Sequence, residues 1–385
     1  MARWELWRLD TDRRRLGVAP IKRAELSLRW CAPSRWTVTT LDGAAALAGE
    51  RVLITRDQQT VLSGVATDRM LALDPRGGRR VTLEGVDDVG RIDEFLAYPD
   101  PTLDADDQSQ PNRDDRSGPV GELIRGYLDD NIGPASLRPL DGLELPDTGD
   151  VDGLGYTVRG RLRYAPLADA LKSLVERAGG SVEWTAVQPI DATTIQVAIR
   201  ETRDRPGVVF DLDGMQAAGI LKRAEIETRR PRTTVGIAGG PGEGADRLVV
   251  ARADQDAVGE WGRIETWLDR RNAGDDDADE SDIVEELEDE IDELLADGQA
   301  TVDITLTLAN VPAVGWPDRW RLGDRVKVRV DGEEQWRRVR GVDLTVDADG
   351  ERLQPRLGSP RATQVMELAR RLGEVEADTA RAGRG

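Results

Sequence analysis

Strict alternation of apolar and polar residues is what most limits the folds open to this chain. In the run 301–308, Val302, Ile304, Leu306 and Leu308 alternate with polar neighbours. A period of two belongs to a half-buried strand and is incompatible with a helix of 3.6 residues per turn. The same period recurs near the start, in Leu26, Leu28 and Trp30, then Trp36, Val38 and Thr40, then Val52 and Ile54, then Val81 and Leu83. It returns near the end, where Val326, Val328 and Val330 are followed by a turn at Asp331-Gly332 and then by Val342, Leu344 and Val346. Short strands separated by turns such as Asp57-Gln58-Gln59 and Pro75-Arg76-Gly77-Gly78 read as a meander or small barrel at the start of the chain, and the later runs as a second β domain.

Between these ends the period changes. Val120, Leu123, Ile124, Tyr127 and Leu128 step by three and four before Gly133-Pro134, and Leu167, Leu171, Leu174, Val175 and Ala178 do so before Gly179-Gly180. Both read as amphipathic helices with glycine terminators. Strands at 156–162, 181–186 and 195–199 surround them, which makes the middle a small α/β module. The fold class expected is therefore α+β, mostly β: two small β-barrel domains flanking an α/β middle, with a C-terminal helix. The boundaries read as 1–98 for the first barrel, 99–118 for a flexible linker poor in apolar residues, and 119–220 for the α/β middle. A second barrel follows over 221–358, interrupted by an acidic helical insertion at 272–298, and a C-terminal helix over 359–385. In that last segment Val365, Leu368, Leu372 and Val375 form a heptad-like stripe with oligomer-forming potential, although docking on the chain's own domain fits it equally well.

Composition removes several chemistries. There is no histidine in the 385 residues, which excludes Ser-His-Asp and Cys-His catalysis and imidazole-ligated metals. The one cysteine, Cys31, cannot form an internal disulfide or a cysteine-based zinc site, and reads as a small buried hydrophobe. The formal charge is −20, and fourteen acids without one base lie in 275–297. Such a block repels phosphate backbones, so no sequence-specific nucleic-acid contact is expected. The start, MARWELWRLDTDRRRLG, lacks the apolar stretch of a signal peptide, and no run approaches the roughly 18 apolar residues of a spanning helix. The expectation is a chain assembled in a cytoplasm, without membrane insertion.

The remaining motifs read as architecture. Gly239-Gly240-Pro241-Gly242-Glu243-Gly244 lacks the Gly-Lys-Ser/Thr and the following helix of a phosphate loop, and joins two strands instead. The acids after it lack the central glycine of a calcium loop. Asp282 and Glu285 form a capping box, Ile283, Val284, Leu287, Ile291, Leu294 and Leu295 an apolar stripe, and Gly298 a terminator, so the acids are the solvated face of a helix. Asp150-Val151-Asp152-Gly153, Asp211-Leu212-Asp213-Gly214 and Asp347-Ala348-Asp349-Gly350 read as turns. Trp261 and Trp267 fall in an expected strand at 261–269. No catalytic, cofactor-binding or metal-ligating residue is assigned, and no cofactor is expected. Two other functions fit the composition: a cell-wall hydrolase working with two carboxylates, and a carbohydrate- or receptor-binding module using exposed tryptophans such as Trp261 or Trp316.

The segment 239–269, GGPGEGADRLVVARADQDAVGEWGRIETWLD, resembles a stretch of siphovirus tail proteins of actinobacterial phages. In these a "GGxGEGxxR" is followed by a short strand, "GxxGRxExxxD" and an acidic spacer. Gly240, Gly242, Glu243, Gly244, Arg247, Gly259, Gly262, Arg263, Glu265 and Asp269 stand at the matching places. Gly323 and Asp324, in Trp320-Arg321-Leu322-Gly323-Asp324-Arg325-Val326, are similar to the "LGDxVxV" of phage tail hub proteins. The resemblance covers about 1–358 in order. It implies a hub-like fold and a non-enzymatic structural protein of the virion tail, at the tail tip or baseplate. It further implies a homotrimeric ring with two related barrels per chain matching a sixfold tube. The partners it implies are a distal tail protein, the tape-measure protein, and fibre or receptor-binding proteins.

Overall fold

The computed structural model describes residues 2–41, 47–73, 79–108, 113–271, 273–274, 279–309, 315–330 and 332–359. The expected C-terminal helix and its stripe of Val365, Leu368, Leu372 and Val375 lie outside them. The chain divides into two compact units, the first made of 1–223 and 306–356 and the second of 224–305 and 357–385.

The first unit opens with seven strands: β1 (Trp4–Leu9), β2 (Arg15–Pro20), β3 (Arg23–Arg29), β4 (Arg35–Leu41), β5 (Arg51–Arg56), β6 (Gln59–Leu73) and β7 (Arg79–Asp87). They pair antiparallel in the order β3-β4-β7-β6-β5-β1-β2. Alternation does what the sequence asks: Ala24, Leu26 and Leu28 of β3 are buried and their neighbours are not. The helix α1 (Asp88–Asp93) follows at once, with Asp87 as its N-cap.

Next come β8 (Asp114–Pro119), α2 (Val120–Ile132), β9 (Leu143–Glu144), α3 (Thr148–Val151), β10 (Thr157–Leu162), α4 (Leu167–Arg177), β11 (Val182–Val187) and β12 (Ile195–Glu201). The predicted apolar faces of α2 and α4 are buried in one core with Trp184 of β11 and Ile195 and Val197 of β12. Gly179 and Gly180 end α4 with φ of +62° and +69°, the left-handed region that glycine enters without steric cost. Part of the segment expected as linker is strand: β8 pairs with β10, and Asp115 is drawn into the sheet by Arg159 and Arg161.

β13 (Asp204–Asp211) leads into α5 (Leu212–Ala217) and β14 (Leu221–Arg229). The supposed turn at 211–214 is the start of α5, because the Asp211 side chain accepts from Gly214 N and caps it. Likewise Asp150 and Val151 belong to the short α3.

The second unit contains β15 (Val235–Gly239), β16 (Val249–Ala253), α6 (Gln255–Trp261), β17 (Glu265–Asp269), α7 (Glu280–Asp297) and the start of β18 (Thr301–Ala309). The first unit is completed by β19 (Arg325–Val330), β20 (Glu333–Asp347) and most of β21 (Gly350–Ser359).

The two expected barrels are corrected by the pairing: no sheet closes among the described residues. β20 pairs with β3, placing Leu344 opposite Leu26 and Val342 opposite Leu28. Strands from both ends of the sequence therefore share one open sheet. β2 does return to the end of β4, where Lys22 N donates to Thr39 O at 2.9 Å and Thr40 Oγ1 to Pro20 O at 2.7 Å. No ladder joins β2 to β4 among the described residues, and Pro20 has no N–H to offer one.

Candidate functional site

The segment that carries the family-like motif folds as a clamp in the second unit. β15 is the central strand of three, antiparallel to β16 and parallel to β17. After Gly239 the chain turns through the glycine loop, and Gly240 N donates to Leu248 O at 2.8 Å while Leu248 N returns to Pro241 O at 3.0 Å.

Arg247 closes this loop. Its Nε donates to Gly240 O at 3.0 Å and its NH2 to Gly239 O at 2.7 Å, and NH2 also pairs with Asp269. Its guanidinium lies 5.3 Å from the centre of the Trp267 ring. A planar fork with five donors can serve two carbonyls and a carboxylate together, which a lysine cannot. The same guanidinium holds the Asp269 carboxyl below the usual carboxylate range.

Several glycines of the motif have a steric reason. A Cβ on Gly239 would come within 2.5 Å of the Trp267 ring, and one on Gly242 within 2.5 Å of Asp246 O, where φ is +98°. Gly240 faces α7, 3.0 Å from Leu287 Cδ1 by the same measure. Gly262 terminates α6 with φ of +82°, its N–H donating to Val258 O at 2.9 Å. Gly244, Gly259 and Gly262 have open space where a Cβ would go. Glu243 is exposed, and Arg263 and Glu265 form an exposed ion pair at 2.6 Å.

Two expectations change here. Trp261 is the last residue of α6, not part of a strand, because Asp254 accepts from Ala257 N at 3.0 Å and starts a helix. The cap of α7 is Asp279, three residues before the position read from the sequence, and its capping-box partner is Asp282. The terminator Gly298 stands where expected, and Leu287 and Ile291 are fully buried against the sheet.

Gly323 and Asp324 form a separate corner in the first unit. Gly323 has φ of +80°, and a Cβ there would come within 2.8 Å of Glu183 Oε2 and 2.7 Å of Trp30 Nε1. Asp324 is buried, accepting from Arg205 Nε at 2.7 Å, Arg321 N at 3.1 Å and Arg203 N at 3.3 Å. The motif thus ties three arginines, two around the start of β13 and one in its own loop, to one carboxylate. Nearby Glu183 has its carboxyl pushed up by burial, opposed by its partner Arg200.

A second pair of buried acids lies elsewhere. Asp87 caps α1 by accepting from Gly90 N at 2.8 Å, and burial pushes its carboxyl up to about 7. Asp88, fully buried, pairs with Arg51 at 2.8 Å and accepts from Ser63 Oγ at 2.5 Å. Sequence reading missed this pair, since neither residue belongs to a recognisable motif. Cys31 is buried, accepts from Trp184 N at 3.4 Å, and has its thiol pushed up by burial.

A cavity of about 350 Å³ is lined by Glu122, Arg125, Thr148, Val151 and Asp152. There Glu122 accepts from Gly153 N at 2.7 Å and Arg125 donates to Pro146 O at 2.8 Å, so its charged groups fasten loops. Among the described residues no three acids or thiols gather as metal ligands, and no helix is long and apolar enough to cross a membrane.

Residues 3–359 match the family of the Siphovirus ReqiPepy6 Gp37-like protein. The chain belongs to that family. A search of curated protein sequences finds no significant match. Among solved structures, the 43 kDa tail protein of prophage MuSo2 from Shewanella oneidensis is 12% identical with a TM-score of 0.56, over 93% of this chain and 98% of its own. The tail protein from Neisseria meningitidis MC58 is 14% identical with a TM-score of 0.55, over 92% and 96%. At such identities the likeness is one of fold, and it runs nearly end to end. Family and fold together make this a siphovirus-type tail protein, mostly β and hub-like in architecture.

Proposed function

We propose that the chain is the structural hub of a phage or phage-derived tail tip or baseplate, a homotrimeric ring that closes the tail tube and anchors fibre or receptor-binding proteins. The observation that carries this reading is the end-to-end fold likeness to two tail proteins, each covered over more than nine-tenths of its length. The use of the motif residues supports a structural role rather than an enzymatic one. Arg247 and Asp269 lock a loop, and Asp324 locks a corner, so the segments that single out the family fix shape. In the ring, the distal tail protein and the tape-measure protein are the neighbours on the tube axis. The acidic face of α7 lies where negative charge keeps passing DNA from adhering.

The test is the assembly itself. Light scattering on the purified protein at micromolar concentration should give three times the chain mass of 42.3 kDa, and electron micrographs should show threefold rings. A monomer without rings overturns the trimer. Co-expression with the distal tail and tape-measure proteins of the same gene cluster should yield a complex that survives gel filtration.

A further inference from the structure

One face of the three-stranded sheet in the second unit is covered by α7. By strand alternation Gly236, Ala238, Val250 and Leu268 point to that helix, and a Cβ on Gly236 would reach within 2.5 Å of Ile291. Ile237, Val249, Ala251, Trp267 and Asp269 point the other way. On that face Val249 is 53% and Trp267 49% exposed, and Trp267 is the one exposed tryptophan of the ten. The other nine tryptophans are buried or half-buried, so an indole with half its surface in water stands apart.

Trp267 is also held. Trp267 pairs with Ile237 in the ladder, Gly239 two residues further along β15 leaves room for the ring edge, and Arg247 lies over the ring while bonded to two carbonyls and to Asp269. Neither neighbour can swing away without breaking the loop. The result is a fixed aromatic surface with a half-exposed carboxylate beside it, held in place by the Arg247 guanidinium. Sugar rings are recognised by that chemistry: an aromatic face meets their C–H groups, and planar acceptor and donor groups meet their hydroxyls.

Size and charge narrow the occupant. Five residues along three strands make a face of about 16 Å by 14 Å, far below the ~800 Å² per partner that a stable protein interface needs. It suits two or three linked sugar rings. The chain carries −20, much of it on α7 of the same unit, so an anionic polymer is repelled and an uncharged one is not. Equatorial β-linkages keep successive rings in one flat ribbon, which matches a sheet face.

We propose that this face binds an uncharged, β-linked pyranose chain, with one ring stacked on Trp267 and its hydroxyls met by the half-exposed Asp269 carboxylate. Binding here does not depend on the trimeric ring. Isothermal titration of the full chain with chitohexaose and with cellohexaose tests it. The expected result is saturable binding of at least one of them, weakened at least about tenfold by Trp267→Ala, largely kept by Trp267→Phe, and absent for oligogalacturonate. The phenylalanine variant preserves packing, so a fold defect in the alanine variant leaves the comparison intact. No binding of either neutral oligosaccharide, or equal binding by wild type and Trp267→Ala, overturns the proposal. So does a loss of oligomeric mass in Trp267→Ala without sugar binding by the wild type, which would make the face an interface between copies.

Discussion

Arg247 shows how much one side chain can fix. Replacing it with alanine takes the side-chain donor from Gly240 O, leaves Gly239 O with Arg270 N alone, and leaves Asp269 with the more distant Arg271. Hydrogen bonds to a charged group contribute about 1.5–3 kcal/mol each when removed. Arg247→Ala should therefore destabilise the second unit by roughly 2 kcal/mol or more, and Arg247→Lys should recover only part, since one ammonium cannot hold that fork. Amide exchange at Gly240 and Arg270, whose N–H groups bond to Leu248 O and Gly239 O, reads this directly. Asp87 gives a prediction of the opposite sign. Its folded carboxyl titrates at about 7, above the ordinary 3.8, because burial disfavours the charge. The native state then holds more protons than the unfolded chain between these values. Its contribution is fully present below about 3.8 and is lost as pH rises through about 7. Asp87→Asn keeps an acceptor for Gly90 N and removes the charge, so it should match wild type near pH 4 and exceed it by up to a few kcal/mol near pH 8. Urea melts at the two pH values check this. The arginine and the glycines were legible as a motif, but their partners were not, because the carbonyls they meet become neighbours only when β15, β16 and β17 align. Asp87 was invisible in sequence, since nothing in its local pattern reports burial.

At the scale of the element, α7 was the most legible and also the most instructive. Its stripe of Leu287, Ile291 and neighbours was plain from the spacing, and the helix packs that stripe on Ala238, Val250 and Leu268. Leu287→Ala should cost about 2–5 kcal/mol, the usual range for emptying a fully buried leucine site. Asp279→Ala should cost about 1 kcal/mol, and Ser281→Ala much less, because the Asp279 carboxylate accepts from Asp282 N at 3.0 Å. Thermal melts followed by far-ultraviolet circular dichroism separate the two. The cap was misplaced in the sequence reading because an acid-rich segment offers several boxes of equal merit. The fold favours one by anchoring the approach, where Gly274 N donates to Glu286 at 3.0 Å. Trp261 went astray for a related reason. Seven residues of α6 are too few to display a helical period, and the signals that decide it are the cap at Asp254 and the left-handed Gly262.

For the molecule as a whole, charge gives the clearest prediction. With a formal charge of −20 the compact state repels itself, so raising salt from roughly 0.05 to 0.5 M at neutral pH should raise the melting temperature by a few degrees. Scanning calorimetry at the two salt levels tests this, and no change or a fall would show that the exposed ion pairs outweigh the repulsion. The sequence by itself determined that this chain is mostly β, that two helices of the middle bury their apolar faces, that imidazole chemistry is excluded, and which family it resembles. Those properties reside in composition and in periods of two or 3.6 residues, which local sterics translate directly into strand or helix. Only the tertiary structure decided that β20 joins β3 in an open sheet, that Arg247 and Asp324 lock corners, and that Trp267 stays in water. Each depends on residues tens to hundreds of positions apart, and a chain's local pattern sets which faces must be buried without choosing which other face will cover them.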